Sequence, residues 1–406
     1  MVRYVRSPHV AVWLVFAVLL GLGAPLASVA SPRAESWIAV SAATPLRTGS
    51  IEAAAPTVPD LLELRQELIE TVLTASAAPA SGDVTVLVTV RDPNALEREI
   101  VRVAGTDRYA TALQASTNAF AGGAPAVVLA TGANWPDALG GSALAGAVRG
   151  PLLLSTPTRL PDAVRAEIVR LGASKVYILG GTAAVASAVE SDLVGMLGRS
   201  GVVRLGGPDR YETARLVADE TIRVLGSGYS GDALVATGGN FPDATGGAAL
   251  AAALGRPILL ANPGSGGVYV PAATRRVTIL GGTAAVSSGV EQTLKASLGG
   301  SNVARAGGAN RYETAVLVAG VGVAGGMSWD GMGIATGANF PDALAGGAML
   351  GARGSVMLLT LPTVLSAEAE AAIVANRDGI ETVFIFGGVN AVSAAVEDAV
   401  RAALLM

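Results

Sequence analysis

The stretch Ala130–Gly141, ATGANWPDALGG, returns as ATGGNFPDATGG at Ala236–Gly247 and as ATGANFPDALAGG at Ala335–Gly347. Each copy follows a version of GTDRYATA (GPDRYETA and GANRYETA in the later copies) and precedes a version of KVYILGGTAAVASAVE (RVTILGGTAAVSSGVE and TVFIFGGVNAVSAAVE). Three motifs in one order, three times over, mean that a whole domain is repeated. Arg108, Arg210 and Arg311 set a period of about a hundred residues, the size of a domain rather than of a solenoid unit.

Within the first repeat the pattern alternates. PAVVLATG, PLLLS and KVYILGG are short apolar runs that read as strands, and DRYATALQASTNAF, LPDAVRAEIVRLG and TAAVASAVESDLVGML have helical spacing. Fully apolar strands separated by helices predict an α/β fold with a parallel sheet covered on both faces. The second repeat departs after PILLA, where NPGSGGVYVPAATRR replaces the expected amphipathic helix; its Gly and Pro residues argue against a regular helix there.

Composition narrows the chemistry. The 406 residues are 51% hydrophobic but only 4% aromatic, so the cores must be built from Ala, Val, Leu and Gly in close-packed helices and sheets. No Cys occurs and the single His is His9, which removes disulfides, Ser-His-Asp and Cys-His catalysis and the usual zinc sites. No cofactor or metal site is read from the sequence, and no copy contains a full G-x-G-x-x-G dinucleotide fingerprint.

Residues 1–30 begin with Arg3 and Arg6, continue through an apolar run from Val10 to Leu22 and end in ASVA, the pattern of a cleaved secretory signal. The expected mature protein is then secreted and free of the membrane, with 26 basic against 32 acidic residues, a balance that disfavours nucleic acid. Only Lys175 and Lys295 are lysines, so almost every cation is an Arg able to hold a carboxylate or phosphate at two points. Residues 31–100 read as a linker. It holds a docking helix in PDLLELRQELIETVL, a strand in DVTVLVTV and a short helix in PNALEREI, the last two placed to complete the first repeat.

Asp107, Asp209 and Asn310 can cap the helix that follows, and Glu212 and Glu313 complete a capping box in two copies. Capping does not explain Arg108, Arg210 and Arg311. In a first helical turn the macrodipole disfavours a cation by roughly 0.3 to 1 kcal/mol, so something negative must lie nearby: a carboxylate of the PDA segment or an anionic ligand. Asp137, Asp243 and Asp342 suit the positive helix end behind Pro136 and its counterparts. Trp135, Phe241 and Phe340 put one ring at the same loop point in each copy, to pack on a neighbouring repeat or stack on a sugar. The paired glycines Gly180–Gly181, Gly281–Gly282 and Gly387–Gly388 either open backbone N–H groups to a phosphate or make a tight turn.

Together, R-Y-x-T-A, ATG-x-N-[WF]-PDA, the PLLLS, PILLA and VMLLT strands and ILGG with its following AV resemble the bacterial cell-wall-binding repeat family, type 2, of Gram-positive surface proteins. The resemblance spans roughly residues 101–406. It implies three tandem Rossmann- or Toprim-like modules, 101–201, 202–301 and 302–406, in a pseudo-threefold arrangement with module–module contacts inside one chain. It also implies non-catalytic, non-covalent attachment to an anionic cell-wall polysaccharide or teichoic acid at the cell surface. Carried over residue by residue, the polymer groove falls on Arg108, Arg210 and Arg311 and on Leu152, Leu153, Leu154, Ile258, Leu259, Leu260, Met357, Leu358 and Leu359, with Asp137, Asp243 and Asp342 beside them. The altered second repeat sets its own groove apart. Two other readings fit the residues alone: a secreted receptor for a small solute at a strand-end crevice, or an enzyme working with carboxylates and a metal held by Asp137, Asp243 or Asp342.

Overall fold

The computed structural model describes residues 98–405 and four short strands before them. Those four, Arg6–Ser7 with Val10–Ala11 and Ile38–Ser41 with Thr85–Val88, form two antiparallel pairs in a separate unit. The docking helix expected at 59–73 lies outside the described residues, as does most of the signal segment. Among the described residues no helix is long and apolar enough to cross a membrane.

The main unit contains three four-stranded, all-parallel sheets. In the first, β2 (Ala126–Thr131) and β4 (Lys175–Leu179) are central, flanked by β3 (Leu152–Ser155) and β5 (Val202–Leu205), in the order β3-β2-β4-β5. The second repeats this order with β7 (Ile258–Ala261), β6 (Asp232–Thr237), β8 (Arg276–Leu280) and β9 (Val303–Ala306). The third has β11 (Ser355–Thr360), β10 (Ser328–Thr336) and β12 (Thr382–Phe386), and its last place is taken by β1 (Glu99–Val103), three hundred residues back in the chain. Each sheet therefore takes its fourth strand from the sequence that opens a neighbouring repeat. The N-terminal strand closes the ring.

That closure corrects two expectations. Glu99 and Ile100 of PNALEREI are extended, because pairing with Thr382 and Val383 supplies backbone bonds that a one-turn helix cannot match. Glu99–Val103 completes the third sheet and not the first, and Thr85–Val88 of DVTVLVTV pairs with Ile38–Ser41 instead of joining any of the three parallel sheets.

The sheets are held to one another by a shared core, and strand periodicity explains how. In β2, Val128 and Ala130 face a core common to the three modules, while Val127 and Leu129 face a private one. In β6, Leu234 and Ala236 face the common core and Ala233 and Val235 the private one. The centre of the common core is made by the Ala- and Gly-rich helices α2 (Gly141–Val148), α7 (Ala248–Leu254) and α10 (Pro341–Arg353), which pack on one another. Their closeness requires small residues: a methyl group at Gly146 would fall on the backbone of Ala252, and one at Gly347 on the side chain of Ala248. This is why the chain is rich in alanine and poor in rings.

Each fourth strand is pinned by an arginine that the repeat motifs did not single out. Arg204 bonds Glu190 at 2.8 Å and the Gly180 carbonyl at 2.9 Å; Arg305 bonds Glu291 at 2.7 Å and the Gly281 carbonyl at 2.7 Å. Arg102 makes the same set across the closure, to Glu397 at 2.7 Å and to the carbonyls of Gly387 and Val392 at 2.9 and 2.8 Å. These pairs hold Glu190 and Glu291 below the usual carboxylate range, through the hydrogen bonds from Arg204 and Arg199 on Glu190 and from Lys295 and Arg305 on Glu291.

Two outcomes follow from ring closure. Arg102→Ala strips a half-buried carboxylate and two carbonyls of their donor and should cost about 2 kcal/mol in chemical denaturation. A permuted chain in which residues 98–106 are moved behind residue 405, joined by a loop like that between α4 (Ser187–Leu197) and β5, should unfold at the parent temperature. A large loss of stability in the permutant would mean that the strand does not complete the third sheet as described.

Candidate functional site

The loops that end β2, β6 and β10 meet the helices that open with DRY or NRY, and they do so across module boundaries. Helices α1 (Arg108–Ala119), α5 (Arg210–Leu225) and α9 (Arg311–Ala324) begin as the capping pattern predicts. Asp107 accepts from the Ala110 N–H, Asp209 from those of Tyr211 and Glu212, and Asn310 from those of Tyr312 and Glu313. The capping box is only partly realised: Glu313 turns back to the Ala309 N–H, but Glu212 is drawn to Arg215 instead, at 2.7 Å.

The three motif arginines are half-buried in equivalent positions. Each uses one guanidinium nitrogen to donate to a backbone carbonyl of its own module: Arg108 to Gly132, Arg210 to Gly238 at 2.8 Å, Arg311 to Gly337. That bond takes one of five N–H donors. Among the described residues none of the three forms an ion pair within 4.0 Å.

What faces them is the PDA carboxylate of the adjoining module. Burial pushes Asp137 above the usual carboxylate range, opposed by the Thr213 hydroxyl and the Arg210 charge. Burial likewise raises Asp243, opposed by Arg311, and raises Asp342, opposed by Arg108 and the Thr111 hydroxyl. The pairing is cyclic, module one to two, two to three and three to one. The rings follow it: Arg210 lies 4.7 Å from the centre of Trp135 and Arg108 5.9 Å from that of Phe340. Trp135 and Phe241 are 6.2 Å apart and Phe241 and Phe340 6.1 Å, so the three loop aromatics pack on one another.

The paired glycines serve the turn. Gly180, Gly281 and Gly387 have φ of 100°, 94° and 101°, and their N–H groups donate to the fourth strands at Leu205, Ala306 and Val103. A Cβ on Gly180 would stand 2.6 Å from Oδ2 of Asp137, and one on Gly387 2.6 Å from Oδ2 of Asp342. A carboxylate of the protein, rather than a phosphate, approaches this backbone.

The apolar strand residues carried into the groove reading are core. Leu152, Leu153, Leu154, Ile258, Leu259, Leu260, Met357, Leu358 and Leu359 are all at most 4% exposed, and Leu259 and Leu260 reach the wall of a cleft. Open space lies at the boundary itself. A cleft of about 390 Å³ at the strand ends of module one is lined by Thr131, Asn134, Asp137 and Gly181 from one side and by Asp209 and Arg210 from the next. It sits where the strand order reverses, between β2 and β4, the position at which open α/β sheets take ligands. Among the described residues no group of three or more carboxylates or imidazoles is placed to hold a metal.

Segments 102–190, 204–291 and 305–397 match the family model described as cell wall binding domain 2 (CWB2). The chain belongs to this family. The matched CWB2 segments start at Arg102, Arg204 and Arg305 and end at Glu190, Glu291 and Glu397, the same residues that clasp one segment to the next. Among curated proteins the chain is similar to N-acetylmuramoyl-L-alanine amidase LytC of Bacillus subtilis (strain 168), 28% identical over 76% of this chain and 60% of that protein. It is also similar to the amidase enhancer of the same organism, 28% identical over 73% of this chain and 39% of that protein. It thus spans less than two thirds of either relative. Two solved structures share the CWB2 fold: Cwp6 from Clostridium difficile (TM-score 0.65, 23% identity, 80% of this chain and 50% of that one) and Cwp8 from the same organism (0.66, 24%, 86% and 55%).

The buried aspartates set a pH dependence of definite sign. A carboxyl raised by folding binds its proton more tightly in the native state, so its share of stability is full below the unfolded value and is lost as pH rises through the folded one. Relative to the parent, the triple variant D137N/D243N/D342N should therefore gain stability in thermal melts as pH rises above the unfolded aspartate value of about 3.9, because the parent loses the share of its raised carboxyls and the variant does not. Gly180→Ala, which strains the backbone and meets Asp137, should cost about 2 kcal/mol or more by chemical denaturation. A cost near zero would contradict the close approach.

Proposed function

We propose that the chain is a non-catalytic anchoring protein that attaches to an anionic cell-wall polymer, a teichoic acid or an acidic polysaccharide, through its three module boundaries, and that it acts at the cell surface after secretion. The observation that carries this reading is the state of the boundary arginines. Each is positioned by one carbonyl bond, Arg108 and Arg210 also lie over a ring of the adjoining module, and none of the three has an ion-pair partner within 4.0 Å among the described residues, although each faces a region shared by two modules. Preorganised donors of this kind favour phosphate or carboxylate, and a repeating polymer can engage several at once. The half-length match to LytC and the amidase enhancer agrees with a region that localises a protein rather than one that performs chemistry.

The buried aspartates tune the sites. Ionised, they share the field of the arginines; protonated, they leave it to a ligand. Binding of a teichoic acid, whose phosphates stay ionised, should therefore strengthen as pH falls into the carboxylate range, and binding of either polymer should weaken with added salt.

Sedimentation with purified cell walls at low salt tests the reading. The parent should pellet with the walls. Each single Arg→Ala change at 108, 210 or 311 should weaken retention about tenfold, the loss of roughly 1.4 kcal/mol from a charge-assisted contact, and the triple variant should stay in the supernatant. Retention of a folded triple variant at parental strength would refute it.

A further inference from the structure

The second module carries a cleft that combines residues of the shared motif with others that its two siblings lack. Where module one has helix α3 (Asp162–Arg170) and module three has α11 (Ala367–Asn376), module two has only turns between β7 and β8, with a single bridge from Ala261 to Val268. The missing helix leaves a cleft of about 380 Å³ between α5 and this loop. That volume is within the range of small-ligand pockets, roughly 300 to 1,000 Å³.

Three substitutions peculiar to this module shape the cleft together. Arg215 stands where the others have Leu113 and Val316, Asp219 where they have Thr117 and Gly320, and Tyr269 lies on the loop that replaces the helix. These three form one network. Arg215 bonds Asp219 and Glu212 at 2.7 Å each and lies 5.5 Å from the centre of the Tyr269 ring, whose hydroxyl donates to Asp219 at 3.0 Å. The result is an aromatic wall held in place from behind, 43% exposed, facing a cleft that Tyr211 also lines. Asn262 at its mouth accepts from the N–H groups of Gly264 and Ser265 through its carbonyl oxygen, which leaves its amide donors for another partner.

The electrostatics differ from those of the boundaries. Arg215 is paired with both Glu212 and Asp219, and Asp209 also lines the cleft, so acidic groups outnumber the guanidinium here. A phosphate polymer is repelled here. Fixed tyrosine rings, carboxylate acceptors and a free amide are the groups that receive a hydroxyl-rich ring with one apolar face. We infer that the cleft of module two, walled by Tyr211 and Tyr269 and fringed by Asp209 and Asn262, is a binding site for an uncharged saccharide unit. It rests on the anchoring reading only for the source of that saccharide, a sugar of the wall, and uses none of the three boundary arginines.

The test is titration of the described chain with glucose, galactose, N-acetylglucosamine and its β-1,4-linked dimer, followed by saturation-transfer NMR and calorimetry, with a glycerol phosphate oligomer as the anionic probe. At least one neutral sugar should bind saturably, without dependence on salt and without competition from the oligomer. Tyr269→Ala should weaken that binding about tenfold or more, Tyr269→Phe by less than about threefold, and the R108A/R210A/R311A chain not at all. If Tyr269→Ala melts early, Ser265→Trp, placed at an exposed loop position to fill the cleft, must abolish sugar binding in its stead. Absence of saturable binding by any neutral sugar, binding unchanged in both cleft variants, or displacement by the glycerol phosphate oligomer would overturn the inference. Wall sedimentation of the same variants separates the two readings, because loss of wall retention with sugar binding intact would count only for the boundaries.

Discussion

Everything in this molecule depends on the exchange of one strand between neighbouring repeats. A three-stranded parallel sheet leaves an edge of unpaired backbone groups, and a repeat that lends its first strand to the previous sheet cannot fold as an independent bead. The Arg–Glu clasp fixes the lent strand, and the shared core of alanine and glycine helices brings the three sheets together around it. The return of Glu99–Val103 to the third sheet turns a row of repeats into a closed ring with three equivalent boundaries. Any site placed at a boundary is thereby copied three times at fixed spacing.

The boundaries concentrate opposing demands. Each buries an aspartate over a glycine turn and sets beside it an arginine that the helix dipole disfavours. Burial of the carboxylate alone is unfavourable, and the neighbouring guanidinium, joined at Asp137 and Asp342 by a threonine hydroxyl, offsets part of that cost. The arginine is left with donors to spare. That imbalance, a charge ordered by the fold but not consumed by it, is the physical basis for proposing an external anion. In module two the same fold has taken a second course, giving up a helix and surrounding its own arginine with acids.

Much of the architecture could be read from the residues. Continuous apolar runs between helices gave parallel sheets, Asp107, Asp209 and Asn310 gave the helix starts, and the Gly and Pro of 262–276 gave the missing helix. The closing strand's place could not be read, because pairing partners as far apart in sequence as Glu99 and Thr382 leave no local trace and the run PNALEREI has the spacing of a helix. Arg102, Arg204 and Arg305 recur in register with Glu397, Glu190 and Glu291, a signal present in the repeats but masked by the longer motifs around it. The strand residues entered the groove reading through the family resemblance alone, and their continuous apolar run reflects two buried faces of the sheet. For the paired glycines both readings were open; an aspartate lies over the first of each pair and ties it to the turn, while the second stays open and Gly181 lines the boundary cleft.

The most direct test of the central idea, that the boundary guanidiniums reach a partner outside the polypeptide, is a crystal structure of the chain with a short glycerol phosphate oligomer. The account predicts a phosphate within hydrogen-bonding distance of Arg210 in the cleft between modules one and two, with the bond to the Gly238 carbonyl retained, and equivalent density beside Arg108 and Arg311. An oligomer bound elsewhere while all three arginines keep only their carbonyl contacts would contradict it.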